Sequence, residues 1–185
     1  MGLVIENRFD VAAAPDEVYR LMLDVERIAP CIPGAEVTGR GEDGSYEARV
    51  TVKLGPVSMS YRGTVAIDSH DDAARTAALR AKATEARGQG TAQATMAMAV
   101  EATESGGSSV SVSTDMLVTG RVAQMGKGIM QDVATRMIGQ MARNMEAVLD
   151  GNPATVIDAK PVGGVGLAAG VLADRVRRRG RGEGE

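Results

Sequence analysis

Apolar and polar residues alternate over most of the first 120 residues, which is the period of a half-buried β-strand. A short strand is expected near residues 35–41. Gly, Asp and Ser separate the alternating segments, and the connections are short enough for antiparallel neighbours. The pattern predicts an antiparallel sheet of about seven strands. Besides the short strand, the segments are residues 3–11, 46–54, 59–67, 77–83, 92–100 and 110–118.

The sequence predicts helices in two regions, one directly after the first strand and one after the last strand. Pro15 suits the first position of a short helix after the first strand, and Pro30 ends a second short helical turn. Over residues 123–150 apolar residues recur at helical spacing until Gly151-Asn152-Pro153 stops the pattern. Because this is the only amphipathic element long enough to cover the sheet, we expect an α+β helix-grip fold, in which a curved antiparallel sheet grips a long C-terminal helix.

The apolar residues are unusual in kind. The chain has eleven Met, three Tyr, one Phe and no Trp, and many inward positions of the predicted strands hold Ala or Gly. A light sheet face opposite flexible Met side chains predicts an elongated apolar pocket, and the alternatives are close approach of the helix or a Met-rich filled core. The side chains expected to bind a ligand there are Tyr19, Met59, Tyr61, Met96, Met98, Met116, Met125, Ile129, Met130, Val133, Met137 and Met141.

Few features of the sequence indicate catalytic chemistry. The single histidine, His70, lies in a predicted Asp/Ser-rich turn, and Cys31 is expected to be a small buried apolar residue. Gly-rich segments at 87–90 and 126–128 match no phosphate-binding motif. One cysteine allows neither an intrachain disulfide nor a Cys-based zinc cluster. We therefore predict no catalytic residue, no metal site and no covalently bound cofactor.

Charge and the N-terminal residues bear on location and partners. The net charge is −3, with +2 in residues 161–185 and −5 in the first 160 residues. A body with this negative charge is a poor non-specific binder of nucleic acid, so we expect no nucleic-acid binding. The first ten residues include acidic and polar side chains instead of the long apolar stretch of a signal peptide. Together with the single cysteine, this favours a reducing, cytoplasmic location.

The C-terminal segment differs in kind from the rest of the chain. We divide the chain into a ligand-binding domain at 1–150, a linker at 151–160 and a tail at 161–185, which is first apolar and then basic. The apolar part is too short to span a bilayer, but the tail could lie in a membrane interface, dock on a protein partner or serve as a disordered solubilising segment. Its candidate contact residues are Val165, Leu167, Val171, Leu172, Arg175, Arg177, Arg178 and Arg179.

Several short motifs lie along the first 63 residues of the chain. They include Phe9-x-Val11, Ala14-Pro15-x-x-Val18 and Tyr61-x-Gly63, and the most specific of them are Cys31-x-Pro33-Gly34 and Lys53-x-Gly55-Pro56. With these motifs the chain resembles the CoxG family of carbon monoxide dehydrogenase subunits, which is a branch of the START-like (SRPBCC) helix-grip superfamily. The resemblance spans about residues 3–150.

The resemblance implies a non-catalytic accessory protein that recruits a molybdenum-containing carbon monoxide dehydrogenase to the cytoplasmic membrane. The molybdenum cofactor would belong to the dehydrogenase. Combined with the predicted pocket, this suggests a non-covalently bound lipid-like ligand, best a respiratory quinone such as menaquinone. Two alternatives stay open: a START-like cyclase or hydratase that uses Tyr61 or Arg121, and a structural membrane tether with a filled core.

Overall fold

The computed structural model describes residues 1–54 and 57–152. Its strands are β1 (Gly2–Val11), β2 (Ala35–Arg40), β3 (Tyr46–Leu54), β4 (Val57–Asp71), β5 (Thr76–Glu85), β6 (Thr91–Ala102) and β7 (Ser108–Val118). Its helices are α1 (Pro15–Leu23), α2 (Val25–Ile28), α3 (Arg121–Gln124) and α4 (Lys127–Leu149), and a 3-10 turn covers Ala29–Cys31.

The seven strands form one antiparallel sheet in the order β1-β7-β6-β5-β4-β3-β2. Strands β2 to β7 form a continuous meander, and β1 pairs with β7 because the segment α1–α2 carries the chain away before β2 begins. The burial of β1 alternates as the sequence pattern predicts, with Leu3 and Ile5 buried and Val4 and Glu6 exposed. The predicted helix-grip architecture is confirmed.

The predicted continuous helix at 123–150 is wrong at its N-terminal end. The chain instead forms the single turn α3 and then α4, with Met125 and Gly126 between them. Gly126 has φ +88°, a left-handed conformation that glycine adopts at little cost and that ends a right-handed helix. The periodicity of apolar residues continues across this break, so it could not reveal the break.

Two apolar clusters hold α4 and the short helices onto the sheet. The first joins α1 and α2 to β5, β6, β7 and the C-terminal half of α4, and includes Val11, Val18, Leu21, Met22, Ile28, Cys31, Met98, Val110, Met141 and Met145. The second joins β3, β4 and the end of β7 to α3 and the first turns of α4, and includes Met59, Tyr61, Val118, Val122, Met125, Met130 and Val133.

A close backbone approach occurs where β4 pairs with β5, with Gly63 opposite Ala83. A Cβ atom added at Gly63 would overlap the carbonyl oxygen of Lys82 and lie 2.5 Å from Cα of Ala83. Both are backbone atoms of β5, so neither can rotate away. Glycine is therefore required at this point of the sheet.

Candidate functional site

A cavity of about 430 Å³ lies between the inner face of the sheet and α4, and the segment after β1 closes it from the side. From that segment come Met22, Val25, Ile28, Ala29 and Ile32. From α4 come Ala134, Met137, Ile138 and Met141. The volume falls in the range of about 300–1,000 Å³ that small-molecule sites occupy.

Small side chains on the strands create this space. Ala48, Gly63, Ala81, Ala83 and Ala94 all line the cavity, where larger aliphatic residues would fill it. The surrounding side chains come from both apolar clusters, with Met98 belonging to the first and Tyr61 to the second. The cavity therefore separates two packed regions and is not a gap at the edge of one core.

Six of the twelve side chains predicted to bind a ligand line the cavity: Tyr61, Met96, Met98, Met116, Met137 and Met141. They come from β4, β6, β7 and α4, which the fold brings together around one space. Whether they contact a ligand stays a prediction.

The other six lie elsewhere. Tyr19 is buried as a member of the first cluster, with its hydroxyl oxygen 3.1 Å from the Thr76 carbonyl oxygen and 3.2 Å from Asp72 Oδ1. Ile129 is 45% exposed on the first turn of α4. The remaining four belong to the second cluster, which joins β3 and β4 to α3 and the first turns of α4: Met59, Met125, Met130 and Val133.

One methionine side chain lies between the cavity and a small outer cleft. Met137 lines both the cavity and a cleft of about 20 Å³ between the end of β3 and α4. Val133, Lys53 and Arg136 also line that cleft. A flexible thioether is thus the side chain shared by the two spaces.

Tyr61 contributes its ring to the cavity wall but not an accessible hydroxyl group. Its side-chain oxygen is buried and has no hydrogen-bond partner within residues 1–54 and 57–152. Burial, and next the charge of Glu85, raise the pKa of the Tyr61 phenol. This hydroxyl is poorly placed to transfer a proton to anything inside the cavity.

Two inward-facing polar side chains that sequence reasoning overlooked also line the cavity, Asn7 on β1 and Thr114 on β7. The alternation of inward and outward positions along β1 and β7 already indicated that both side chains face inward. Asn7 falls between the inward residues Ile5 and Phe9, and Thr114 falls two positions before the inward Met116. The residues of α1–α2 that close the cavity were also missed, because helical spacing alone predicts a buried face and not what that face covers.

The residues considered for catalysis lie away from the cavity. His70 sits at the end of β4 with a side chain that is 53% exposed, and its Nδ1 is 3.0 Å from Asp72 Oδ1. Cys31 is fully buried, and burial raises the pKa of its thiol. Arg121, at the start of α3, is exposed and is not part of the cavity wall.

Neither a metal-binding cluster nor a membrane-spanning helix is found among the described residues. Within the described ranges, no group of three or more His, Cys, Asp or Glu side chains could hold a metal ion. None of the helices in that part of the chain combines the length and apolar content that crossing a bilayer requires. Gly55, Pro56, most of the predicted linker and the whole predicted tail, including Val165, Leu167, Val171, Leu172, Arg175, Arg177, Arg178 and Arg179, lie outside the described residues.

The model of the CoxG family of carbon monoxide dehydrogenase subunits matches residues 8–150, which include almost all of the helix-grip domain. The chain belongs to this family. No curated protein matches the sequence.

Solved structures share the fold at low sequence identity. A conserved protein from Geobacillus kaustophilus is 17% identical with a TM-score of 0.70, and the match covers 80% of this chain and 96% of that one. The Zhui aromatase/cyclase from Streptomyces sp. R1128 is 17% identical with a TM-score of 0.54, over 88% of this chain and 100% of that one.

A START superfamily protein from Mycobacterium smegmatis is 15% identical with a TM-score of 0.51, over 80% of this chain and 97% of that one. These structures establish the START-like fold and nothing about the chemistry of this chain.

Proposed function

We propose that this chain is an accessory protein that carries a hydrophobic, lipid-like ligand in its cavity and couples carbon monoxide dehydrogenase to the cytoplasmic membrane. The observation that carries the proposal is the cavity of about 430 Å³, whose wall is formed mainly by Ala and flexible Met side chains. The family membership supplies the dehydrogenase as the partner.

A respiratory quinone such as menaquinone is the ligand that we favour. Its isoprenoid chain is long and flexible, which suits an apolar wall whose methionines can change rotamer. A ligand of this kind would also explain why an accessory protein of an oxidoreductase holds an apolar cavity, since the quinone accepts electrons. The filled-core tether fits less well, because the interior between the two clusters is open.

The test is lipid extraction followed by mass spectrometry of protein purified from its native host. We expect a quinone in stoichiometric amounts. A variant with Met137→Phe and Met141→Phe fills the cavity from α4, and it should fold but lose the lipid. Met130→Phe is the matched control, because Met130 lies in the second cluster and does not line the cavity. An empty cavity in the native protein would contradict the proposal.

Methionine methyl groups provide a second readout in solution. On addition of a prenylated naphthoquinone, the methyl resonances of the lining residues Met96, Met116 and Met137 should shift. Those of Met145, which is fully buried outside the cavity wall, and of the exposed Met1 should not. Equal shifts for all five would indicate non-specific binding.

We propose that the basic tail recruits the protein to the membrane. Arginines near an anionic bilayer contribute roughly 1 kcal/mol each. Replacing Arg175, Arg177, Arg178 and Arg179 with Gln should therefore release the full chain from anionic vesicles, while replacing them with Lys should not. Unchanged sedimentation of the Gln variant with such vesicles would exclude this role for the tail.

An enzyme of the cyclase type is the second candidate, favoured only by the structural similarity to the Zhui aromatase/cyclase. The two residues that sequence analysis offered for it do not support it. The Tyr61 hydroxyl is sealed off from the cavity, and Arg121 is outside the wall.

A further inference from the structure

Asn7 and Thr114 are polar side chains at inward positions of the strands that line the cavity. The other polar side chains at its border alternate with the inward residues of their strands: Glu36, Arg49, Thr64 and Lys82. On β1 and β7 the backbone register pairs Asn7 with Val112 and Ile5 with Thr114. Asn7 and Thr114 are therefore diagonal neighbours on the same inward face, and the Cα atoms of such neighbours are about 7–8 Å apart. One small group on a ligand can lie within reach of both side chains.

Neither side chain has a hydrogen-bond partner within residues 1–54 and 57–152. The Asn7 amide offers two donors and one acceptor, and the Thr114 hydroxyl offers one donor. Polar groups left unpaired beside an apolar space cost stability, and Leu and Val would pack there without that cost. The pair therefore has no evident packing role in a wall made mainly of Ala and Met.

Charge distinguishes between possible ligand head groups. Among the described residues that border the cavity, the charged ones are Glu36, Arg49 and Lys82. Arg49 forms an ion pair with Glu36, with 2.5 Å between Nη2 and Oε1, and Lys82 is exposed at an outward position of β5. A carboxylate moved into this cavity would lose its hydration without gaining a cation.

We propose that Asn7 and Thr114 form the subsite for the polar head of the ligand and that they select a neutral oxygen acceptor, such as a quinone carbonyl, over a carboxylate. The Asn7 amide and the Thr114 hydroxyl donate hydrogen bonds to that oxygen, while the rest of the ligand lies against Ala and Met. This inference rests on the proposed function, that the cavity carries a hydrophobic ligand.

The test compares three probes with the same prenyl chain: a naphthoquinone, the corresponding naphthalene hydrocarbon and the matching naphthoic acid. The full-length protein should bind the quinone more tightly than the other two. Asn7→Leu and Thr114→Val should each weaken quinone binding about three- to tenfold, the value of one hydrogen bond, while hydrocarbon binding stays the same or improves. Thr114→Ser keeps the hydroxyl and should keep the preference for the quinone.

Thr95→Val is the matched control, because it makes the same chemical change at an exposed position of β6, on the other face of the sheet. It should leave binding of all three probes unchanged. Urea unfolding of each variant checks the fold, and Asn7→Leu and Thr114→Val should be at least as stable as the native chain.

Three results would overturn the inference. If quinone and hydrocarbon binding fall equally in the variants, the two residues only shape the cavity. If the native protein binds the acid or the hydrocarbon as tightly as the quinone, the subsite does not recognise a neutral oxygen, but hydrophobic carriage survives. If the native protein binds none of the probes, the proposed function fails together with the subsite.

Discussion

Replacing Tyr61 with Phe should stabilise the ligand-free protein. Tyr61 is only 7% exposed, its ring packs in the second cluster, and its hydroxyl oxygen has no partner in the described part of the chain. Phe keeps the ring in the same place and removes only the oxygen. The substitution therefore removes a desolvation cost without creating a large void.

The expected size follows from the cost of an unpaired buried polar group, which is about 1–3 kcal/mol. Taking the low end, we expect the free energy of unfolding to rise by about 1 kcal/mol. For a domain of this length, that corresponds to an increase in Tm of about 2–4 °C.

Tyr19→Phe is the matched control, because it makes the same chemical change where the hydroxyl is paired. The Tyr19 oxygen lies 3.1 Å from the carbonyl oxygen of Thr76 and 3.2 Å from Asp72 Oδ1, and it can donate to one of them. The variant loses that hydrogen bond and should be less stable by about 1 kcal/mol. The two substitutions thus have opposite expected signs.

Urea unfolding of ligand-free protein at neutral pH measures both changes, provided that the m values stay constant. The pH dependence gives a second readout. Because burial and Glu85 raise the pKa of the folded Tyr61 phenol above 10.0, the unfolded chain ionises first, and stability falls as the pH rises above about 10. Tyr61→Phe should lose less stability than the native chain over this range.

If Tyr61→Phe is equally or less stable with an unchanged m value, the hydroxyl must have a favourable contact in solution. The account of Tyr61 as an unpaired group would then be refuted.

Three further predictions concern the backbone, the surface and the single thiol. Gly63→Ala should destabilise the protein by about 1–3 kcal/mol, because its Cβ meets the backbone of β5, whereas Gly139→Ala in α4 meets only a side-chain atom at 3.8 Å and should stabilise it by about 0.5–1 kcal/mol in thermal unfolding. Equal effects would contradict the packing argument. A hydrogen bond and the charge of Arg75 lower the pKa of Asp16 below 3.8, so stability from this carboxylate is present above about pH 4 and is lost at lower pH. Acid titration of Asp16→Asn should lack this component, and an unchanged acid profile would count against it. Cys31 should react with thiol reagents only when the protein unfolds, and rapid alkylation of the native chain would show that the site opens.

The sequence by itself determined the architecture. Period-two alternation predicted the strands and their inward faces, and the helical spacing after residue 123 predicted the element that covers them, because both periodicities follow from local backbone geometry. The same alternation placed Asn7 and Thr114 on the inner face, although their importance becomes clear only beside a cavity. Small inward residues such as Ala81 and Ala94 predicted the open space that the structure contains.

Only the tertiary structure decided which apolar residues surround that space. Met130 and Met137 have the same chemistry and lie on the same helix, yet one packs in the second cluster and the other lines the cavity. The difference depends on the turn at Gly126 and on which strands lie beneath each turn of α4. Periodicity records that a side chain is buried, but its neighbours are set by contacts between residues far apart in the chain, which no local pattern encodes.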